Sequence, residues 1–410
     1  MIVSGTIRAA RSGLLEARLP SAAVGEGVRV STARGEITGI VTALRNGHAI
    51  VAVHDAIDGV CAGDVAYVDP AALTMPLGTM LLGRSFDARG SALDDGTPLR
   101  GQSRSLAIQA PAPSQRTAIG MPFWTGVRAI DGLLTLGLGA RIGLFGSPGA
   151  GKSSLLRLMV RGSHSDAVVV GLVGERGREA EEWMRSVPRH ASIVCSTGDR
   201  SASERVRAAH VAMAQAHALR SRGLHVLLIL DSLARFASAL REVALASGEA
   251  VGRGGFPPSV FADIARYVEI AGTAQRGSIT LVATVLSDGD ERDPVSDAAR
   301  SLLDGHVELS AALAQAGRYP AIDILASTSR TMEHVASNDH VRAARLVRTA
   351  IAALAQTADA RALGIMPGDA FVLRALAHEE ALEGLLRQGN LPSPPRETLS
   401  ALYAIADTLA

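Results

Sequence analysis

Apolar and polar positions alternate in short runs over the first seventy residues. Residues 2–7, 27–31, 36–41, 48–53 and 64–68 each read as a strand, and Gly, Asn and Asp turn signals separate them. Short strands at even spacing predict a small β-barrel. Residues 71–122 mix short apolar groups with Pro, Gly and Ser and read as a connector. The period then changes. Residues 141–145 form a predicted strand that enters a glycine-rich turn, and 153–161 follow with helical spacing. Residues 167–173 are an unbroken apolar run, as expected of a parallel strand covered on both faces. Further strands are predicted at 192–195, 226–230 and 278–286, with a helix over 203–220. Alternating strand and helix predict a doubly wound α/β domain. From about residue 341 the chain is rich in Ala, Leu and Arg at helical spacing. The expected organisation is a barrel over 1–70, a core over 71–335 that includes the connector, and a helical domain over 336–410, with no internal repeat.

Composition narrows the field. The chain has 410 residues, 47% of them hydrophobic, enough for sizeable cores and too many for a disordered protein. Aromatics are only 3%, so the cores are built from aliphatic side chains. The formal net charge of +1 gives no chain-wide basic footprint for nucleic acid. Residues 1–70 carry six arginines against seven acids and one aromatic, Tyr67. A barrel that tracks single-stranded nucleic acid needs basic charge and stacking platforms, so a hexameric nucleic-acid motor is disfavoured. Cys61 and Cys195 make neither a disulfide framework nor a zinc site. The first twenty residues lack the apolar stretch of a secretory signal, and no uncharged apolar run approaches a membrane span. A cytoplasmic protein is expected.

The chain has one lysine, Lys152, among 41 basic residues. A genomic base bias accounts for the arginines; it does not account for the one retained lysine. Lys152 lies in Gly146-Ser-Pro-Gly-Ala-Gly-Lys-Ser153, which fits the phosphate-loop pattern G-x-x-x-x-G-K-[S/T]. A slim ammonium enters between backbone amides to reach terminal phosphates, where a planar guanidinium does not substitute. Gly146, Ser147, Pro148, Gly149, Ala150, Gly151, Lys152, Ser153 and Ser154 are therefore the candidate phosphate-binding residues, with Ser153 a candidate Mg²⁺ ligand. Val226-Leu-Leu-Ile-Leu-Asp231 ends a predicted buried strand in a carboxylate, 79 residues beyond Lys152, and supplies a candidate for the hydrated Mg²⁺. The same position suits an N-cap for a helix beginning at Ser232. Val173-Gly-Glu-Arg-Gly-Arg178 offers Glu175 after another buried strand, either as the group that orients an attacking water or as a surface salt-bridge partner. Turns after parallel strands open on one edge of the sheet, so Glu175, Lys152 and Asp231 can converge.

At this point a resemblance carries further. Residues 125–332 resemble the ATPases of type III secretion systems and of flagellar export, which are similar to the catalytic β-subunit of F-type ATP synthase. The residues that carry it are Thr125-Gly-Val-Arg-Ala-Ile-Asp-Gly-Leu-Leu-Thr135, the phosphate loop, Gly174-Glu-Arg-Gly-Arg-Glu179 and Asp231-Ser-Leu-Ala-Arg-Phe236. They continue through Gly254-Gly-Phe-Pro-Pro-Ser-Val-Phe261, Leu303-Asp-Gly-His306 and Arg318-Tyr-Pro-Ala-Ile-Asp-Ile-Leu-Ala-Ser-Thr-Ser-Arg330. The phrase from Ile130 to Thr135 resembles the virulence branch more than the flagellar one, which stays as the alternative. The resemblance implies a RecA-like doubly wound P-loop core that binds ATP and Mg²⁺. It implies Glu175 as the catalytic glutamate, Arg176 and Arg235 as phosphate-facing arginines, Tyr319 as the aromatic that stacks on adenine, and Arg330 as an arginine finger given across a subunit interface. It implies a homo-oligomeric ring, expected to be a homohexamer. Its implied partners are a central stalk, a peripheral-stalk or regulatory protein and chaperone–effector complexes. It reaches the membrane only through those partners, peripherally at the inner face of the bacterial inner membrane. The loop at 252–258 is implied to grip the stalk near the ring's pore. A non-catalytic rotary subunit would lack Glu175, so that reading is disfavoured. The chain begins almost directly at the barrel, without the longer N-terminal segment of many relatives, and residues 360–369 depart from the usual Gly-aromatic-x-x-Gly phrase.

Overall fold

The structure is a computed structural model that describes residues 4–11, 13–94, 96–185, 187–286 and 293–410. Six antiparallel strands near the N-terminus close into a barrel in the order Ser4–Arg11, Leu14–Arg18, His48–Val53, Gly35–Arg45, Gly27–Thr32 and Val65–Val68. Ile7, Leu15, Val28, Val30, Val41 and Val51 fill it, so alternation along each strand sends aliphatic side chains inward. The predicted start of the first strand at Ile2 and Val3 lies outside the described residues. The strand Leu14–Arg18 went unread in the sequence because its five residues sit within a tight hairpin on Ser4–Arg11.

The core sheet runs Ile322–Ser329, Gly305–Leu309, Arg141–Gly146, Ser278–Leu286, His225–Asp231, Ala167–Glu175, Ala191–Thr197 and Ser85–Asp87. All neighbours along it are parallel except the first pair. The run over Ala167–Glu175 divides as its composition demands. Val168, Val170 and Leu172 join the core on one face of the sheet, and Ala167, Val169 and Val173 join the core on the other. The helices Lys152–Gly162 and Gly177–Met184 pack on the first face. The helices Ala202–Arg220, Leu233–Ala246 and Pro258–Ile270 pack on the second.

The connector is more structured than its composition predicts. Thr74–Leu77 pairs with Gln102–Ser105, and the three-residue strand Ser85–Asp87 extends the core sheet beside Ala191–Thr197. A strand that short leaves no periodicity to read, yet it covers backbone groups that would otherwise form an open edge. At the opposite edge, Ile322–Ser329 folds back antiparallel on Gly305–Leu309; neither strand was read from periodicity. The helices Asn338–Gln356, Ala370–Ala377, Glu379–Leu386 and Pro395–Leu409 form the C-terminal bundle. Its Val347, Leu382, Leu402 and Leu409 share one core with Ile130 and Leu133 of the helix Arg128–Leu133, which ties the bundle to the sheet domain. Among the described residues no helix is long and apolar enough to cross a membrane.

Candidate nucleotide-hydrolysing site

The strand Arg141–Gly146 delivers the phosphate loop to the carboxyl edge of the sheet, where Lys152 opens the helix Lys152–Gly162. The Lys152 ammonium donates to the carbonyls of Gly146 at 2.6 Å and Ser147 at 2.9 Å, folding the loop around its own cation. Pro148 and Gly149 are exposed at the turn, Ala150 is buried beneath it, and Ser153 and Ser154 stand on the helix's first turn. Backbone amides at a helix start, with an ammonium among them, make an anion site.

Asp231 ends the strand His225–Asp231 two strands away from the loop. It is 7% exposed, and it accepts a 2.6 Å hydrogen bond from the Thr284 hydroxyl. The N-cap role belongs instead to Ser232, whose side chain accepts from the Arg235 N–H. Asp231 itself is the last residue of its strand, at the carboxyl edge of the sheet. Burial raises its pKa, against the Thr284 hydrogen bond, the Arg235 charge and the Lys152 charge, which lower it.

Glu175 ends the strand Ala167–Glu175 after a bulge in its pairing with Ala191–Thr197. Gly174 makes the bulge with φ of +71°, and a Cβ there would meet the Arg235 side chain at 3.2 Å. Glycine therefore serves twice, adopting the left-handed turn and admitting the arginine. Arg235 donates to the Gly174 carbonyl at 2.8 Å and pairs with the Glu175 carboxylate at 2.5 Å. Glu175 is 5% exposed, and burial first, then the Asp231 charge and a hydrogen bond with Glu179, push its pKa up to about 8 despite Arg235. Glu179, one helical turn on, completes a group of three carboxyls.

The other expected residues divide. The Tyr319 ring lies over the loop, about 3.9 Å from where a Cβ on Gly151 would stand. Arg176 is exposed at the start of the helix Gly177–Met184 and makes no ion pair with a described residue. Arg330 stands apart. Its neighbour Ser329 pairs with Gly305, which pairs with Ile142, while the phosphate loop leaves from Gly146. Four residues of strand separate those levels, roughly 13 Å at 3.3 Å per residue. Arg330 is exposed beyond the edge strand, and among the described residues its guanidinium makes one long hydrogen bond, to the Arg300 carbonyl at 3.5 Å. The loop at 252–258 is a short turn before the helix Pro258–Ile270, with Arg253 paired to Asp297 at 2.9 Å.

Sequence reasoning passed over Glu179 and Thr284. The first had a signal, since Glu175 and Glu179 are four apart across a helix start; the second had none, because its contact crosses from another strand.

A phosphate loop, a strand-end aspartate and a buried glutamate at one edge of a doubly wound sheet define a P-loop nucleoside-triphosphate hydrolase. Comparison with known proteins makes this particular. The nucleotide-binding domain of the ATP synthase alpha/beta family matches residues 126–329. The type 3 secretion system ATPase of Pseudomonas syringae pv. tomato is 40% identical over 99% of this chain and 94% of its own length. The flagellum-specific ATP synthase of Treponema pallidum is 39% identical over 94% of this chain and 89% of its own. The assembled ATPase EscN of the enteropathogenic E. coli type III secretion system, solved in complex with its central stalk EscO, superposes with a TM-score of 0.90 at 36% identity. That match covers 98% of this chain and 100% of EscN's. The chain belongs to the type 3 secretion system ATPase family; it is an ATPase with a P-loop core, an N-terminal barrel and a C-terminal helical domain.

Proposed function

We propose that the chain hydrolyses MgATP at sites shared between identical subunits of a ring, a homohexamer, and that this energises protein export through a type III secretion system. The division into a barrel over 1–70, a core over 71–335 and a helical domain over 336–410 serves that reading. Loop amides and Lys152 hold the β- and γ-phosphates. Among the described residues no cluster of three or more His, Cys, Asp or Glu side chains forms a metal cage. Mg²⁺ takes one or two protein oxygens together with substrate phosphates, a donor set that the Ser153 hydroxyl and the Asp231 carboxylate match. Ser153 and Asp231 would hold it, and the ion would neutralise charge that builds on the phosphates. Tyr319 stacks on the base, and Glu175 orients the attacking water. Arg235 pairs with Glu175 at rest, so a γ-phosphate that draws Arg235 away frees the carboxylate to meet water. Arg176, exposed beside it, supplies a second cation to the phosphates.

The observation that carries this reading is the position of Arg330. Every other proposed group lies at or beside the carboxyl edge of the sheet, and Arg330 lies at the other end of an edge strand, open to a neighbour. A charge supplied from the adjacent subunit couples hydrolysis to assembly. Chaperone–effector release and contacts with a central stalk and a peripheral-stalk regulator follow from the family, as does a peripheral place at the inner face of the inner membrane. The flagellar export reading is second, favoured by the similarity to the Treponema protein. Specific ATPase activity of the purified protein should rise with its concentration as the oligomer forms. A specific activity that stays flat while light scattering reports assembly counts against shared sites.

Protonation gives a second test. The fold favours the protonated Glu175 carboxyl, whose pKa moves from an ordinary 4.5 to about 8. Its contribution to stability is therefore full below 4.5 and is lost as pH rises toward 8. The ionised form that orients water is gained around the folded-state value of about 8, so kcat/KM should climb between pH 7 and 9 and level off above. A profile flat from pH 6 to 9 would contradict the role given to this carboxylate.

A further inference from the structure

We propose that Gln388 of the C-terminal bundle is a positioning residue for the nucleotide base; the proposal rests on the reading of Tyr319 as the base platform. Gln388 follows the helix Glu379–Leu386 and is half-buried against the core. Its backbone N–H donates to the Tyr319 carbonyl at 2.8 Å. Its side chain faces the other way and uses both ends of the amide. The oxygen accepts from the Arg128 N–H at 2.8 Å, and the nitrogen donates to the carbonyls of Gly126 at 2.7 Å and Leu391 at 2.8 Å. One residue thus joins three parts of the molecule: the tyrosine's backbone, the start of the core's first helix and the bundle.

The anchor it grips is rigid. The helix Arg128–Leu133 has Val127 at its N-cap, with no side-chain cap of its own, and the Gln388 oxygen meets one of its open N–H groups. Asp131 of that helix is fully buried and accepts from the N–H groups of Thr125 and Gly126 at 2.8 and 2.9 Å. Gly126 has φ of +77° and no room for a Cβ, which would meet Gly162 at 2.8 Å and Pro392 at 3.0 Å. Gly162 ends the helix that begins at Lys152. The Ser393 N–H also donates to the Gly126 carbonyl, at 2.9 Å. The segment 387–393 is therefore clamped to the frame that carries the phosphate loop, and Tyr319 is held by that segment. By contrast Tyr319 is 52% exposed as a residue, so its ring has little packing of its own to fix it over Gly151. The Gln388 side chain sets where the ring stands, and a displacement of the bundle reaches the base through this residue.

The test is a double-mutant cycle on ATP hydrolysis, with tripolyphosphate as a base-free competitor. Gln388→Ala should raise KM for ATP about five- to tenfold, the worth of one to two net hydrogen bonds, with kcat within about twofold. In a Tyr319→Ala background the same change should add little, because the ring it positions is gone. Tripolyphosphate inhibition should be unaffected. Equal effects of Gln388→Ala in both backgrounds, or equal weakening of tripolyphosphate, would overturn the proposal and leave a merely structural role. Should the alanine variant fold poorly, Gln388→Glu keeps the acceptor for Arg128 but sets a carboxylate oxygen against two carbonyls, and the same split in KM is expected. If Tyr319→Ala leaves KM unchanged, the base-platform reading fails and this proposal falls with it. If only Gln388→Ala is silent, the platform stands and the positioning role is lost.

Discussion

Arg330→Ala should abolish turnover while ATP still binds. In a single subunit Arg330 lies about four strand residues below the phosphate loop, farther than its side chain reaches. Removing it therefore leaves Lys152, Asp231 and Tyr319 of the same chain undisturbed, and the dissociation constant for ATP should hold. The transition state is another matter. Charge accumulates on the γ-phosphoryl oxygens, and an arginine finger supplies about a thousandfold or more of the rate. The guanidinium is exposed and, among the described residues, its hydrogen bond is a long one to the Arg300 carbonyl, so its loss should leave the melting temperature unchanged. Measured kcat beside an ATP titration checks both halves. Turnover within a few-fold of the parent would remove Arg330 from the chemistry.

Glu175→Gln should lower kcat roughly a hundred- to ten-thousandfold, the range for a positioned group that manages a proton in the transition state. The amide is nearly isosteric, and it also removes a carboxyl whose ionisation burial opposes. At pH above 8, where the wild-type group ionises, the glutamine variant should melt at a higher temperature than the parent. Below pH 4.5 the difference should vanish. Lost activity together with gained stability at high pH is the signature of a functional group held against its packing preference. Lost activity with lost stability would mean that Glu175 is chiefly a structural partner of Arg235.

The readable parts of this site share one property: each is a short pattern at the end of an apolar run. The phosphate loop, Asp231 and Glu175 all terminate buried parallel strands, and those strands are long enough for their composition to announce them. The parts that escaped depend on contacts distant in sequence or on elements too short to carry a period. Thr284 reaches Asp231 from a strand 53 residues on. Gln388 meets Gly126 and Arg128 across 262 and 260 residues, and no local spacing encodes such a pair. The edge strand Ser85–Asp87 has three residues, and the connector around it reads as punctuation. Arginines were the hardest case. In a chain with 40 of them, Arg176, Arg235 and Arg330 stand out only through the family resemblance. The structure then separates them physically: one is paired with Glu175, one is exposed at the rim, and one is at the far end of the sheet.

Mixing two inactive variants tests the shared site most directly. Lys152→Ala destroys a subunit's own phosphate site but leaves its Arg330 to give; Arg330→Ala does the reverse. In rings assembled from equal amounts, about a quarter of the interfaces pair an intact phosphate loop with an intact arginine. ATPase activity should return in the mixture well above the sum of the two parents. A mixture that co-assembles and stays as inactive as its components would contradict an active site built from two subunits.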